Sequence, residues 1–218
     1  MKWPSTRELM QLAPLPPGYR YAPLDLACLP ELMAALQSWY PELSVGMNSC
    51  YLREDFYRTR VCLDEANDRD IYASRILFGD ALVGFWSFER EVDSLAIYGR
   101  LIVVAPAHRD ARLSAHAMAG TEHMGRSKGA AFLYALATLK HPYAQQALER
   151  ADYRLLGFFP GRDREEVAPG VVKRVYQAVY AKLLVSPDKV HWPQTRNMTP
   201  RTRALFELLF PDHLEAVR

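Results

Sequence analysis

The run Leu101-Ile102-Val103-Val104-Ala105-Pro106-Ala107-His108-Arg109-Asp110-Ala111-Arg112-Leu113-Ser114 reads as an apolar strand, a loop and the start of a helix. A strand that enters a helix through a short loop leaves backbone N–H groups unpaired and pointing one way, and they add to the positive end of the helix dipole. Such a turn binds anions, phosphates above all. Arg109 and Arg112 bring formal charge to the same loop, and a guanidinium can donate two hydrogen bonds to one phosphate. With no phosphate to hold, the two arginines would be ordinary solvated charges at a helix start. Ser114 reads as a helix cap or as a ligand, two roles that coincide at that position.

Other reactive side chains carry weaker patterns. Glu89 and Glu91 share a charged turn with Arg90 and Asp93, where a solvated turn is the plainer reading. His116 and His123 lie seven apart on one helix face, but helical metal pairs sit three or four apart and no third ligand stands out. His141 opens a helix with Gln145 one turn on, the spacing of a structural pair. Tyr176 and Tyr180 point to one face of a strand, which leaves core packing and a substrate wall both open. Cys28, Cys50 and Cys62 are odd in number and show no CxxC spacing, so they are expected to be reduced and structural.

Positioning the loop requires a scaffold, and hydrophobic spacing supplies one. Tyr19–Ala22 suits a first strand. Asp25–Trp39 repeats Leu26, Leu29, Leu32, Met33, Leu36 and Trp39 at helical spacing until Pro41 stops it. Arg53–Glu65 is a weaker amphipathic helix. Three strands follow as a meander, Ile71–Phe78, Ala81–Arg90 and Leu95–Val104, with Gly79-Asp80 as a tight turn. A helix over Ser114–Arg126 leads to Ala130–Leu139, apolar on every side like a strand buried on both faces. Pro142–Arg150 is helical, Arg154–Phe159 and Val171–Leu184 pair as strands around a loop over Pro160–Gly170, and Thr199 caps a last helix over Pro200–Phe210.

That order, over roughly residues 19 to 184, resembles the Gcn5-related N-acetyltransferase family. In this family a strand ending in Val-x-Pro, here Val104-Ala105-Pro106, precedes a coenzyme A loop of the form Gln/Arg-x-x-Gly-x-Gly/Ala. Laid on this sequence the loop runs from Arg109 to Ser114, with Arg112 at the usual Gly, Ser114 at the Gly or Ala, and Asp110 where a further Gly is common. A second landmark, His141 to Tyr153, is similar to the family's Asn-x-x-Ala-x-x-x-Tyr helix, with Ala144 retained and Leu148 at the tyrosine.

The resemblance implies an α/β (α+β) fold: a mixed, mostly antiparallel sheet flanked by helices and splayed between strands four and five after Val103-Val104. It implies acetyl-CoA, or another acyl-CoA, as co-substrate, held by Val103, Val104, Arg109, Asp110, Ala111, Arg112, Leu113 and Ser114, with no metal. A backbone N–H near Val103 or Val104 would stabilise the oxyanion. A carboxylate is the family's usual base, for which Glu89 and Glu91 are the candidates by position, with Tyr98 and His141 as proton donors. The acceptor would be an amine on a small molecule or a protein. A longer acyl group, an acyl carrier protein as donor, or a non-catalytic coenzyme A-binding scaffold are the alternatives.

Composition narrows the partners. Of 218 residues 50% are hydrophobic and 24% charged, with a formal net charge of only +2, so nothing calls for nucleic acid or an anionic membrane. Met1–Leu12 lacks the apolar run of a signal peptide and no stretch has the length of a membrane span, which suggests a soluble, cytoplasmic enzyme. The expected organisation is an acyltransferase domain over 1–184 and an extension over 185–218. In that tail Leu205, Phe206, Leu209 and Phe210 would suit packing on the same chain or on a second copy in a homodimer.

Overall fold

Seven strands form one sheet, and the alternation of side chains along them decides what packs on each face. The structure, a computed structural model, describes residues 2–63 and 68–211. Residues up to Leu184 form one unit, and those from Val185 form another. In the first, α1 (Thr6–Leu12), β1 (Tyr19–Ala22), α2 (Leu29–Trp39) and α3 (Glu54–Arg60) precede β2 (Ile71–Phe78), β3 (Ala81–Glu91) and β4 (Ala96–Val104). Then come α4 (Leu113–Ser127), β5 (Phe132–Thr138), α5 (Tyr143–Arg150), β6 (Arg154–Ala168) and β7 (Val171–Leu183). The sheet order is β1-β2-β3-β4-β5-β7-β6, antiparallel throughout except where β4 runs parallel to β5. The expected mixed, mostly antiparallel sheet is therefore present.

On one face Trp86 and Phe88 of β3 join Leu9, Leu113, Ala117, Met124 and Leu148 from α1, α4 and α5 in a core. On the other, Phe85 joins Leu29, Leu32 and Leu36 of α2 and Phe56 and Tyr57 of α3. Period-2 alternation on a strand buried on both sides produces this division. α4 can approach α1 because Gly120 has no side chain: a Cβ there would lie 2.3 Å from that of Ala13. Gly120→Ala is accordingly expected to lower stability by about 2 kcal/mol, through overpacking, read as a lower urea midpoint.

Several boundaries differ from the expectations, each for a local reason. α2 begins at Leu29 rather than Asp25, because the Asp25 carboxylate accepts the Cys28 N–H at 2.8 Å and holds Asp25–Cys28 as a turn. α3 ends at Arg60, and Glu65 lies outside the described residues. The expected loop over Pro160–Gly170 is instead mostly strand, since β6 runs on to Ala168. β6 is an edge strand, where the N–H that Pro160 lacks would have no ladder partner to serve. α1 was not expected, although Ser5 and Glu8 form a reciprocal capping box at its start. The second unit holds 3₁₀ turns at Pro187–Lys189 and Thr195–Asn197, and α6 (Pro200–Leu209), whose cap Thr199 accepts the Thr202 N–H at 3.3 Å. Among the described residues no helix is long and apolar enough to cross a membrane.

Candidate active site

Strand β4 runs directly into the loop with the two arginines. The Ala105 N–H is still bonded to Val83 at 2.8 Å, and Pro106 then starts a 3₁₀ turn, Pro106–Ala111. Arg112 follows with φ 54° and ψ 28°, the left-handed conformation, and α4 begins at Leu113. Glycine adopts that conformation without cost, so Arg112 follows a backbone path that glycine would take more easily. Arg112 stands at the N-cap and makes no side-chain cap, and Leu113 and Ser114 are the first two helical residues, whose N–H groups have no intrahelical partner. Ser114 thus sits inside the helix, not at its cap. Leu113 is buried in the core, and Ala111 packs against the same core. Arg109, Asp110 and Arg112 are exposed. The Arg109 guanidinium lies over the Tyr40 ring at 5.1 Å, and Nδ1 of His108 is 2.9 Å from the Tyr19 hydroxyl, which ties the turn to β1.

Beside this loop the sheet opens. β4 and β5 are paired only from Ala96–Phe132 to Gly99–Ala135, although β4 continues to Val104 and β5 to Thr138. The splay therefore starts at Gly99, four to five residues before the expected Val103-Val104. Its cause lies on the other side of β4: Ser87 pairs with Leu101 but Phe88 with Gly99, so Arg100 is an extra residue in a bulge that turns the strand. Because Ala105 and Val83 share a ladder bond, alternation turns the N–H of Val103 to β3 and that of Val104 to the open side. The Val104 carbonyl faces the same way, accepting from the Tyr40 hydroxyl at 3.4 Å.

A cavity of about 280 Å³ passes through the gap. Met118, Thr121, Leu148 and Tyr153 line it on the α4 and α5 side, and Leu43, Val45, Asp163 and Gln177 on the opposite face. A larger cavity of about 480 Å³ lies under Trp3, Glu8 and Lys128 and is lined by no residue of β4 or of the arginine loop.

No family model matches the chain, and no curated protein matches it. Solved structures do. The ribosomal L7/L12 alpha-N-protein acetyltransferase RimL, in complex with coenzyme A, superposes with a TM-score of 0.59 at 12% identity, over 79% of this chain and 97% of that one. Spermidine N-acetyltransferase from Vibrio cholerae, in complex with CoA and spermine, gives 0.59 at 11% identity over 77% and 96%. An acetyltransferase from Salmonella typhimurium that modifies the N-terminal serine of L7/L12 gives 0.56 at 12% over 78% and 98%. The chain has the Gcn5-related N-acetyltransferase fold.

Within this acetyltransferase fold the four candidate catalytic residues lie in different surroundings. His141 lines the cavity, exposed, its ring 5.0 Å from that of Tyr143. Glu89 is bound to the Arg100 guanidinium and, at 3.2 Å, to Arg60, which leaves its carboxylate committed to cations. Glu91 lies opposite Ala96 at the far end of β4, eight residues of strand or roughly 26 Å from Val104. There it accepts from the hydroxyls of Tyr134 and, at 3.1 Å, Ser94, and it does not line the cavity. Tyr98 stacks on Tyr134 at 4.8 Å, and burial raises its pKa, with Arg162 and Arg100 opposing the rise.

The acetyltransferase fold also assembles groups that no local pattern announced. Arg100 donates from Nε to the Tyr51 hydroxyl at 3.0 Å, and Tyr51 donates to Ser87 at 2.6 Å, so a buried network runs from β3 through the bulge to Glu89. Burial opposes the charge on Arg100, but Tyr51 and Glu89 more than offset it and its pKa lies above that of an ordinary arginine. Burial likewise raises the Tyr51 phenol. Asp163 and Gln177, from β6 and β7, reach the cavity wall. Of the two tyrosines on β7, Tyr180 is core, donating to Glu149 at 2.7 Å, and burial with that carboxylate pushes its pKa up to about 12. Tyr176 is exposed. Nδ1 of His123 is 2.9 Å from the Leu12 carbonyl, an anchor for α1, and the three cysteines are unbridged.

Proposed function

We propose that this chain transfers an acyl group, acetyl in the first instance, from a coenzyme A thioester to a primary amine. The observation that carries the reading is the succession of three features along β4 and the turn after it: a cavity lined by β4 residues from Ile97 to Ile102 where β4 leaves β5, an unpaired β4 edge running on to Val104, and an uncapped helix start with two arginines. The donor set fits a pyrophosphate: N–H groups of Arg112, Leu113 and Ser114, plus the guanidinium groups of Arg109 and Arg112. Asp110 adds a carboxylate to the same turn and belongs on its solvent side. The open N–H of Val104, and its carbonyl with a second lone pair beside the long Tyr40 bond, suit an amide-bearing arm laid along β4 as an extra strand.

Acetyl-CoA supplies an activated thioester: R-NH3+ and the thioester give the N-acetyl amine, free thiol and one proton. The Val104 N–H is the donor placed to stabilise an oxyanion at the gap. His141 and Tyr153 are side chains on the cavity wall that can carry a proton, with Lys140 beside them. Glu89 acts at one remove, holding Arg100 and through it the bulge. A non-catalytic coenzyme A binder is the second reading, favoured by Leu148, which is buried where the family carries a tyrosine.

The test joins two readouts on the wild-type protein. Acetyl-CoA is expected to raise the melting temperature, since a ligand that binds only the folded state stabilises it. Thiol release is expected with at least one member of a panel of alkylamines, diamines and peptide N-termini. No thermal shift at millimolar acetyl-CoA removes the donor reading, and a shift without thiol release with any amine assigns the chain to the binders.

A further inference from the structure

On the face of the sheet opposite α4, the cavity wall carries two buried polar side chains whose hydrogen-bonding capacity the protein leaves open. Gln177 is 7% exposed, and its Oε1 has no hydrogen-bond partner. The hydroxyl of Thr138, the residue opposite Gln177 on β5, donates to Glu165 at 3.2 Å and accepts the Lys140 N–H at 3.3 Å. Asp163 is also 7% exposed. Its Oδ1 accepts the N–H groups of Met47 at 2.8 Å and Arg164 at 2.7 Å, and no described cation pairs with the carboxylate. A buried carboxylate without a counter-ion and a buried amide oxygen without a donor are both costly unless a ligand or an ordered water completes them, and a ligand ammonium offers the carboxylate the charge that water does not.

The register brings the two together. Asp163 lies opposite Val175, two residues from Gln177 on the same face of β7, so the pair are diagonal neighbours about 7–8 Å apart. A tetrahedral ammonium that donates to both holds its two acceptors about 4.7 Å apart, a separation that side chains rooted at that spacing can reach by leaning together. The cations on the same wall are engaged: Lys140 with Glu165 at 3.4 Å, and Arg100 with Glu89 and Tyr51. Glu42, exposed at the rim, adds a second carboxylate with no ion pair among the described residues.

We propose that Asp163 and Gln177 are the specificity-determining residues of an amine subsite, and that the acceptor is an aliphatic amine bound through an ammonium group. The ammonium donates to Asp163 Oδ2 and Gln177 Oε1 on the sheet face away from the arginine loop, so acceptor and donor enter from opposite faces. This rests on the acyltransferase reading for what happens after binding, but binding itself does not.

The experiment uses the full chain labelled with 15N, the side-chain amide signals of Gln177 assigned by their loss in Gln177→Leu, and 1,4-diaminobutane as the probe, with 1,4-butanediol as the uncharged control. The Gln177 signals are expected to move with the diamine and not with the diol. Asp163→Asn, which keeps an acceptor oxygen for Met47 and Arg164, is expected to raise the diamine dissociation constant at least about tenfold. Gln177→Leu gives an independent check by thermal shift, where the diamine effect should vanish. Unmoved Gln177 signals, equal movement with the diol, or unchanged diamine affinity in either variant overturns the proposal. Thiol release from acetyl-CoA is read separately: a diamine that moves Gln177 without being acetylated supports the subsite and defeats acyl transfer, whereas acetylation of the diamine with wild-type KM in Gln177→Leu does the reverse.

Discussion

Replacing Arg109 and Arg112 together with alanine is expected to raise the dissociation constant for acetyl-CoA by about two orders of magnitude. Each guanidinium offers charge-assisted hydrogen bonds to phosphate, worth about 1.5–3 kcal/mol apiece, and both belong to one loop. The unliganded melting temperature should barely change, because both side chains are exposed and neither caps α4. Isothermal titration on the wild type, the double variant and Arg112→Gly separates charge from backbone. Arg112→Gly keeps the left-handed turn without its cost in a β-carbon-bearing residue, so it should lose affinity while retaining stability. An unchanged dissociation constant in the double variant would remove the loop from the donor site.

The largest loss of stability is expected from Gly46→Ala. Gly46 has φ 84°, where a Cβ costs about 1–2 kcal/mol by itself, and that Cβ would lie 2.2 Å from the Arg164 carbonyl oxygen and 2.6 Å from Asp163 Oδ1. A backbone oxygen in a strand cannot step aside as a flexible side chain can, and overpacking adds about 1–3 kcal/mol. A loss of about 3 kcal/mol or more in chemical denaturation follows, together with loss of the Met47–Asp163 bond that fixes the carboxylate at the cavity. Stability within about 0.5 kcal/mol of wild type would mean that β6 does not approach the turn after Gly46 so closely, and the position assigned to Asp163 would fall with it.

The two substitutions differ in how far a reader of the sequence can anticipate them. Arg109 and Arg112 stand in a strand–loop–helix whose residue types point to the proposed anion site before any contact is known. Gly46 is one of eleven glycines, and only its neighbour 118 residues away explains it. Glu89 and Glu91 show the opposite case. Position near a strand end makes both eligible as bases, and only the fold shows that the pairing of β3 with β4 sets Glu91 opposite Ala96, at the other end of β4 from Val104, and that Arg60 and Arg100 pair with Glu89.

What the sequence by itself determined is the order of elements and the arginine loop. Period-2 and period-3.6 patterns, the Gly79-Asp80 turn and the Pro106 to Ser114 passage are encoded within a few residues of one another, so local physics suffices to read them. The extent of β6 escaped that reading because Pro160 and Gly161 mark a loop everywhere except on an edge strand, and edge position is a property of the whole sheet. Tertiary structure alone decided where β4 parts from β5, since the parting depends on how a bulge at Arg100 meets a strand that begins 32 residues later, at Phe132. It alone placed Asp163 beside Gln177, through a register shift between Phe159 and Asp163. Neither residue carries a local signal, because an unsatisfied acceptor exists only once burial has removed the water that would have satisfied it.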